Sequence, residues 1–440
     1  MQKTVLDNGV TVVTRRFNEL GSAYIHWRLT GGSSAEPPGY HGGMHFLEHV
    51  LCDRDRLMGK IERRGEEFNA CTSKTALDMF AHVWPSHAED TFKLLLADGL
   101  AQPRFSASTY NKERARIVGE MIDASNDTNA VLYDGAQARM YADGSRSHSV
   151  LGTPEEFNLL TLEKLRELHA QSTCGHNLIV AAAGDVHHDK VVRQVERHVR
   201  HLPHGPSPAL GAANTFSPGG LGICHESAAG VELMVTYHQP TDAQARTARL
   251  MLSQMLAADS QSYLMKNMSF QRGLVYSMGA HTDEYPGGFE QVITASVAPD
   301  KAQRALSTLA SLMMKLPERL SRADFQRIKR AYSFRIASVV ETPENWAERA
   351  ISDVERYGHV RSLTEIRHEY VRLEFAQVQQ AAKALVAQPP FVAALGDVEK
   401  IRINEPFELA FEKHGGPAAK QWLAQADAQR DKKKVASAPA

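Results

Sequence analysis

The chain has 440 residues, enough for two or three domains at roughly 150 residues each. Its 50 Lys and Arg nearly balance 51 Asp and Glu, for a net charge of −1, which excludes the broad basic surface that binds nucleic acid or an anionic membrane. With 43% hydrophobic and 23% charged residues it has the composition of a soluble globular protein, and no run reaches the ~18 apolar residues of a membrane-spanning helix. The start, MQKTVLDNGVTVV, has neither a basic n-region nor an apolar h-region, so no secretory signal is read. That reading implies the cytoplasm if Met1 is the native start, and the periplasm if a signal has been removed. Cys52, Cys71, Cys174 and Cys224 are scattered without C-x-x-C spacing, which argues against a disulfide framework and against a Cys-type zinc site.

The first elements form a hairpin signal, with Thr4–Leu6 and Val10–Val13 on either side of Asp7-Asn8-Gly9. A strand follows over 23–29 and ends in Gly31-Gly32. A helix is expected from Gly43 to Cys52, then two strands within 68–83. Long helices are expected over 86–100 and 107–139, and another over 162–171 with Thr161 as its N-cap. Residues 177–186 read as a buried apolar strand, followed by a helix through 200. The run 201–220, crowded with proline and glycine, reads as an interdomain linker. Beyond it come a strand over 231–238, a helix over 243–257, strands over 275–282 and 288–297, and a helix over 299–315. Ser321 caps a helix over 322–338, and Thr342-Pro343 opens another. Residues 416–440 read as a disordered tail or frayed helix.

One internal repeat relates the halves. Val180 to Val186 reads VAAAGDV, and Val392 to Val398 reads VAALGDV. Each copy is a core strand ending in a Gly-Asp turn, and the order of elements around them is similar. This predicts an α+β protein of two related domains, 1–202 and 221–415, joined by the linker 203–220.

The chemistry concentrates at Gly43-Met44-His45-Phe46-Leu47-Glu48-His49-Val50. On a helix, positions i, i+3 and i+4 share one face, so His45, Glu48 and His49 point the same way. Two imidazoles four residues apart can grip one zinc ion, and a carboxylate beside them can take a proton from an activated water. A catalytic zinc ordinarily has three protein ligands, so a further His, Asp or Glu is needed from a neighbouring element. Glu113 and Glu120 in the 107–139 helix are seven residues apart and share a face. One of them can bind metal while the other orients a ligand histidine by hydrogen bonding.

H-x-x-E-H with a Glu some seventy residues downstream is the inverzincin pattern. Further runs accompany it: Leu6-Asp7-Asn8-Gly9-Val10, Gly32-Ser33-Ser34-Ala35-Glu36-Pro37-Pro38, Phe68-Asn69-Ala70-Cys71-Thr72, Gly152-Thr153-Pro154 and Arg272-Gly273-Leu274-Val275-Tyr276-Ser277. On these residues the chain resembles, over roughly 1–400, the pitrilysin/insulinase family of zinc peptidases. The likeness is to its smaller members in particular, which include the mitochondrial processing peptidases and bacterial relatives. The resemblance implies two tandem, similar α/β sandwich domains, half of the clamshell that larger relatives build from four. It implies one Zn2+ per chain, with His45, His49 and Glu120 as ligands, Glu48 as general base and Glu113 as the family's second glutamate. The strand at Asn69-Ala70 is implied to take a peptide substrate as an added edge strand, so that extended peptides and unfolded segments are cleaved.

The pattern departs at one place. The family sets an Arg and a Tyr seven residues apart in the second domain, where they contact the substrate carbonyl. Tyr276 matches the Tyr, but Ser269 stands where Arg is expected, and Arg272 and Lys266 lie at other spacings. In small members a second subunit lends this pair to the first. The resemblance therefore implies a heterodimer with a related zinc-free chain, or else a homodimer using Tyr276 with Arg272. A peptide-binding or assembly subunit with little activity alone is the alternative function, and the intact H-x-x-E-H argues against it. Neither nucleic acid nor membrane is an expected partner. His187-His188-Asp189, His82, Trp84 and Glu66-Glu67 read as ordinary surface or packing residues.

Overall fold

A computed structural model describes residues 1–414 apart from 54, 143, 206–213, 226–227, 286 and 339–340. Residues 206–213 of the linker expected at 203–220, and all of the tail expected at 416–440, therefore lie outside the described residues. The first series of elements is β1 (Gln2–Val5), β2 (Thr11–Arg16), β3 (Ala23–Thr30), α1 (Gly43–Cys52), β4 (Glu67–Thr72), β5 (Ala76–Val83), α2 (Ala107–Asn126), α3 (Thr128–Met140), α4 (Leu162–Ser172), β6 (Leu178–Gly184) and α5 (His188–Val199). The second is β7 (Gly219–Cys224), β8 (Val231–Pro240), α6 (Arg246–Ala257), β9 (Ser277–Tyr285), β10 (Gly288–Val297), α7 (Ala302–Met314), α8 (Arg322–Ser338), α9 (Pro343–Tyr357), α10 (Leu363–Arg372), α11 (Phe375–Val386), β11 (Phe391–Gly396) and α12 (Glu405–His414). Among the described residues no helix is long and apolar enough to cross a membrane.

The strands form two sheets, ordered β1-β2-β6-β3-β5-β4 and β7-β11-β8-β10-β9. From β2 and β7 onward the two orders match strand for strand. In each sheet the first and last of the matched strands in sequence, β2 with β6 and β7 with β11, run parallel, and the other neighbours run antiparallel. Val180 is paired with Val12 and Trp27, and Val392 with Gly220 and Val235. The VAAAGDV and VAALGDV runs thus occupy equivalent central strands. Every residue of both strands is buried, because both faces of each sheet are covered, and such strands read as unbroken apolar runs.

How the faces are covered follows from their side chains. On the first sheet, Ile25, Trp27, Leu77, Met79 and Val180 pack with Met44, Leu47 and Leu51 of α1 and with Val191 and Val195 of α5. The opposite face, with Val13, Tyr24, Ile179 and Ala181, packs on Trp346, Ala350 and Ile351 of α9. On the second sheet, Val235, Ile293 and Val392 pack with α6, α7, α8 and α11, while Met234, Val292 and Leu395 pack on Leu132, Ala136 and Met140 of α3. Neither compact unit is therefore one stretch of chain. One comprises 1–123, 144–212 and 339–362, and the other 124–143, 213–338 and 363–440. A boundary at 203–220 assigns α3 and α9 to the opposite halves, because an apolar helix stripe does not say which sheet it will cover.

Local departures from the sequence expectation have local causes. The helix expected over 107–139 is two helices, broken where the Asp127 side chain accepts from the Asn129 and Ala130 amides at 2.8 and 3.2 Å and so starts α3. The helix expected over 86–100 is a short α-helix, Ala88–Phe92, running into wider π-type turns over Lys93–Ala101. Strand β7 begins at Gly219, inside the span assigned to the linker. His188 is held by both ring nitrogens, 2.8 Å from the Thr4 hydroxyl and 2.9 Å from that of Thr14.

A short brace sets α1 against the β4–β5 hairpin. The Gly31, Ser33 and Ser34 amides donate to Thr75 O, Ser73 O and Lys74 O at 2.7, 3.0 and 2.8 Å. Gly32 has a φ of 49°, and a Cβ on it would stand 2.4 Å from Ser73 O, so only glycine fits. Just beyond, the buried Glu36 carboxylate accepts from the Gly42 and Met44 amides at 3.0 and 2.6 Å. These are amides at the start of α1, which has no side-chain cap of its own. His148 stands 3.4 Å from the same carboxylate. Burial raises the Glu36 carboxyl above its ordinary range, against the opposing effect of these bonds.

Under α9, Asp78 accepts from Arg28 Nε at 2.8 Å and lies 2.7 Å from His26 Nε2, while Arg28 Nη1 reaches Glu355 of α9 at 3.1 Å. Burial alone raises the Asp78 carboxyl, but the His26 hydrogen bond and the Arg28 charge outweigh it and hold it below its usual range.

Two stability predictions follow from these contacts. Glu36→Ala leaves two buried amides without their acceptor, and is expected to cost about 1–3 kcal/mol in urea unfolding. An unchanged midpoint would show that the cap contributes nothing. For Asp78, whose folded value is depressed, the stabilisation is present above the unfolded value of about 3.9 and is lost as pH falls through the lower folded value. Asp78→Asn should therefore flatten the acid limb of stability against pH. An acid limb identical to that of the wild type would contradict this.

Candidate metal centre

Helix α1 buries Met44, Leu47 and Leu51 against the sheet, which turns His45, Glu48 and His49 to its other side. Phe46 and Val50 pack on Ile117 of α2, with Phe157 and Leu165 in the same cluster. That contact lays α2 along α1 and brings both of its candidate carboxylates to the histidines. One Glu120 carboxylate oxygen lies 3.5 Å from His45 Nε2 and 3.3 Å from His49 Nε2. One ligand atom from each of these three residues falls within 4.8 Å of the others, the single such group of His, Cys, Asp and Glu among the described residues.

The spacing fits a shared metal ion. Tetrahedral ligands held about 2.0–2.1 Å from zinc stand about 3.3 Å from one another. The 3.3 and 3.5 Å separations are of that size. Protonation fits as well. Burial, with the nearby His49 adding to it, pushes His45 down to about 3, so its imidazole is neutral at ordinary pH and offers a lone pair. The donor set, two imidazoles and a carboxylate, is one that zinc favours.

Glu113 plays a different part. It is fully enclosed, and its Oε2 lies 3.2 Å from Nδ1 of His49, on the side of the ring away from Glu120. Arg116, one turn on, donates to both of its oxygens at 2.7 and 3.0 Å. Burial raises the Glu113 carboxyl, but the His49 bond and Arg116 outweigh it and leave it depressed and ionised. An ionised carboxylate only accepts, so the proton of that contact sits on His49 Nδ1, and Nε2 is the ring nitrogen that faces Glu120.

Glu48 lies on the same side of α1 and is buried. Its Oε2 accepts from the Thr72 hydroxyl at 2.7 Å, at the end of β4. Strand β4 is an edge strand, paired antiparallel to β5 on one side and to no strand among the described residues on the other. Asn69 is exposed on it, and the Ala70 amide donates to Asn69 Oδ1 at 2.9 Å.

The remaining candidates lie in the second unit. Tyr276 immediately precedes β9 and is 75% exposed. Ser269 sits in a π-type turn, Met265–Phe270. Arg272 is turned back on that segment, with Nη1 donating to Asn267 O and Oδ1 at 2.7 and 3.2 Å. Helix α6, which follows β8 as α1 follows β3, reads RTARLMLSQMLA and contains neither His nor Glu. Sequence reasoning gave no role to Glu36, Thr72 or Arg116. The first two stand in the quoted runs, but their partners are visible only once the chain is folded.

Comparison with known proteins finds two family models in succession along the chain. The family model for insulinase, peptidase family M16, matches residues 12–154, and the model for the peptidase M16 inactive domain matches 159–332. A Schizosaccharomyces pombe protein named probable mitochondrial-processing peptidase subunit beta is 28% identical over 224 residues, 49% of either chain, so that match spans about half its length. An uncharacterized zinc protease of Mycobacterium leprae is 24% identical over 406 residues, 90% of this chain and 91% of that one. Among solved structures, a protease from Helicobacter pylori has a TM-score of 0.81 at 18% identity, covering 90% of this chain and 99% of that one. A chain of complex III from Candida albicans has a TM-score of 0.80 at 16% identity, covering 94% and 100%. These last two show the fold alone. The two family models together span most of the sequence, and the chain belongs to peptidase family M16, the insulinase family.

Proposed function

We propose that this chain is a zinc-dependent endopeptidase acting on extended peptides and unfolded segments. The observation that carries the reading is the convergence of His45, His49 and Glu120 within 4.8 Å, with Glu48 beside them on α1. His45, His49 and Glu120 hold one zinc ion, which when bound supplies Lewis acidity. Glu48 takes a proton from the attacking water and returns it to the leaving amine nitrogen. Glu113 holds His49 by Nδ1 and so keeps its ligand nitrogen turned toward Glu120. The open edge of β4, at Asn69 and Ala70, pairs with the substrate backbone, which only an extended chain can offer. The Arg and Tyr that contact the substrate carbonyl come from a second, related subunit, and Tyr276 would serve there only in a homodimer, with Arg272.

The chain acts with a second, related subunit. Ser269 carries no cationic charge, and Arg272 Nη1 is engaged by Asn267, so this chain does not present the Arg–Tyr pair by itself. The subunit name of one relative supports the same reading.

Two experiments test the proposal. Glu48→Gln should retain zinc and lose activity by about 10²–10⁴-fold, whereas His45→Ala and Glu120→Gln should lose the metal as well. Near-normal turnover by Glu48→Gln would refute the assigned base. Purified alone, the chain is expected to be monomeric by light scattering and to cleave peptides slowly. A stable homodimer with kcat above about 1 s⁻¹ would instead assign the missing cation to Arg272.

A further inference from the structure

Strand β4 alternates its side chains between two surroundings. Phe68 and Ala70 join the core cluster that contains Met44, Leu47 and Leu51 of α1. Thr72, two residues further on, lies on the same face. Where an apolar residue would continue the row, Thr72 instead presents a hydroxyl, 2.7 Å from Glu48 Oε2. A hydroxyl donating to a carboxylate is a strong, directional bond, and it fixes the rotation of the group that accepts it.

The backbone around Thr72 is itself held. Thr72 pairs with Leu77 in β5, and the next residues, Ser73 to Thr75, take the three amides of the Gly31–Ser34 brace. The hydroxyl therefore hangs from a rigid turn, while the carboxylate sits on a helix whose start is tied to the same brace through Glu36. The base and the edge strand are thus registered to each other by a side-chain bond as well as by the backbone.

We infer that Thr72 is a positioning residue for Glu48, coupling the strand that receives substrate to the group that moves the proton. The inference rests on the peptidase reading above and deepens it. Thr72 acts through Glu48 and takes no proton itself. Its effect is to keep the Glu48 carboxylate in one orientation, so that the base is in place in each enzyme–substrate complex rather than in a fraction of them. Such loss of orientation lowers the rate of the chemical step without weakening the backbone pairing that binds peptide.

The test compares Thr72→Val, Thr72→Ser and Glu48→Gln with the wild type, each zinc-loaded and full-length. The probe is one peptide found to be cleaved from a quenched-fluorescent mixture of unstructured peptides. Thr72→Val keeps the shape and removes the donor. It is expected to lower kcat about 10–100-fold with KM changed less than about twofold, and with zinc content unchanged. Thr72→Ser restores the donor and should recover most of kcat. A lost hydrogen bond acting only on packing would lower the melting temperature without this split, and Thr72→Ser, which lacks the methyl group, would not rescue it. If the wild type cleaves and Glu48→Gln does not, but Thr72→Val matches the wild type or changes only KM, the positioning role is overturned and the peptidase reading stands. If the wild type cleaves no peptide, or Glu48→Gln cleaves normally, the peptidase reading falls and this inference falls with it.

Discussion

The candidate centre depends on the distance between one helix and one edge strand. Helix α1 carries two histidines and a glutamate, β4 carries the open edge, and neither is useful unless the other lies within a side chain's reach. The Gly31–Glu36 segment sets that distance with three backbone amides and one carboxylate. Glycine at position 32 is what lets two backbones come that close. The rest follows from this placement. Helix α2 packs on Phe46 and Val50, and its two glutamates reach opposite sides of His49.

The second unit shows which parts of this arrangement belong to the fold and which to the chemistry. It repeats the strand order and the sense of each pairing, and it sets α6 after β8 as α1 follows β3. The repeat at Val180 and Val392 marks equivalent strands. Yet α6 spends its buried positions on Ala248, Met251, Leu252 and Met255 and has no donor for a metal. A sandwich of this kind is therefore stable without the site. The histidines of α1, one of them with its pKa pushed down by burial, are a local addition to a scaffold that does not need them.

Much of this was legible in the sequence because the signals were periodic. The spacing of His45, Glu48 and His49 put them on one helical face, and the apolar run at Leu178–Gly184 marked a strand buried on both sides. Thr161, Ser321 and Thr342 marked helix starts through their hydroxyls, which accept from amides three residues on. What was not legible depends on contacts between distant residues. Glu113 and Glu120 are equivalent by spacing, and only the crossing of α2 over α1 separates the one beside Nδ1 of His49 from the one beside Nε2. The bonds from Glu36 to α1 and from Thr72 to Glu48 join residues with no periodic relation. The break at Asp127 was within reach, since Asn126-Asp127 is a capping signal, but the helical pattern on both sides concealed it.

The exchange of α3 and α9 has a consequence for how this chain is made. Each sheet buries its second face under a helix encoded in the other half of the sequence. During synthesis the first sheet is complete once β6 has emerged, at residue 184, but the helix that covers Tyr24, Ile179 and Ala181 is not available until residue 357. Over that interval an apolar sheet face stays uncovered, which is the kind of surface that misassembles or recruits a chaperone. A cut between the halves would leave each fragment, by itself, without the helix that covers one face of its sheet.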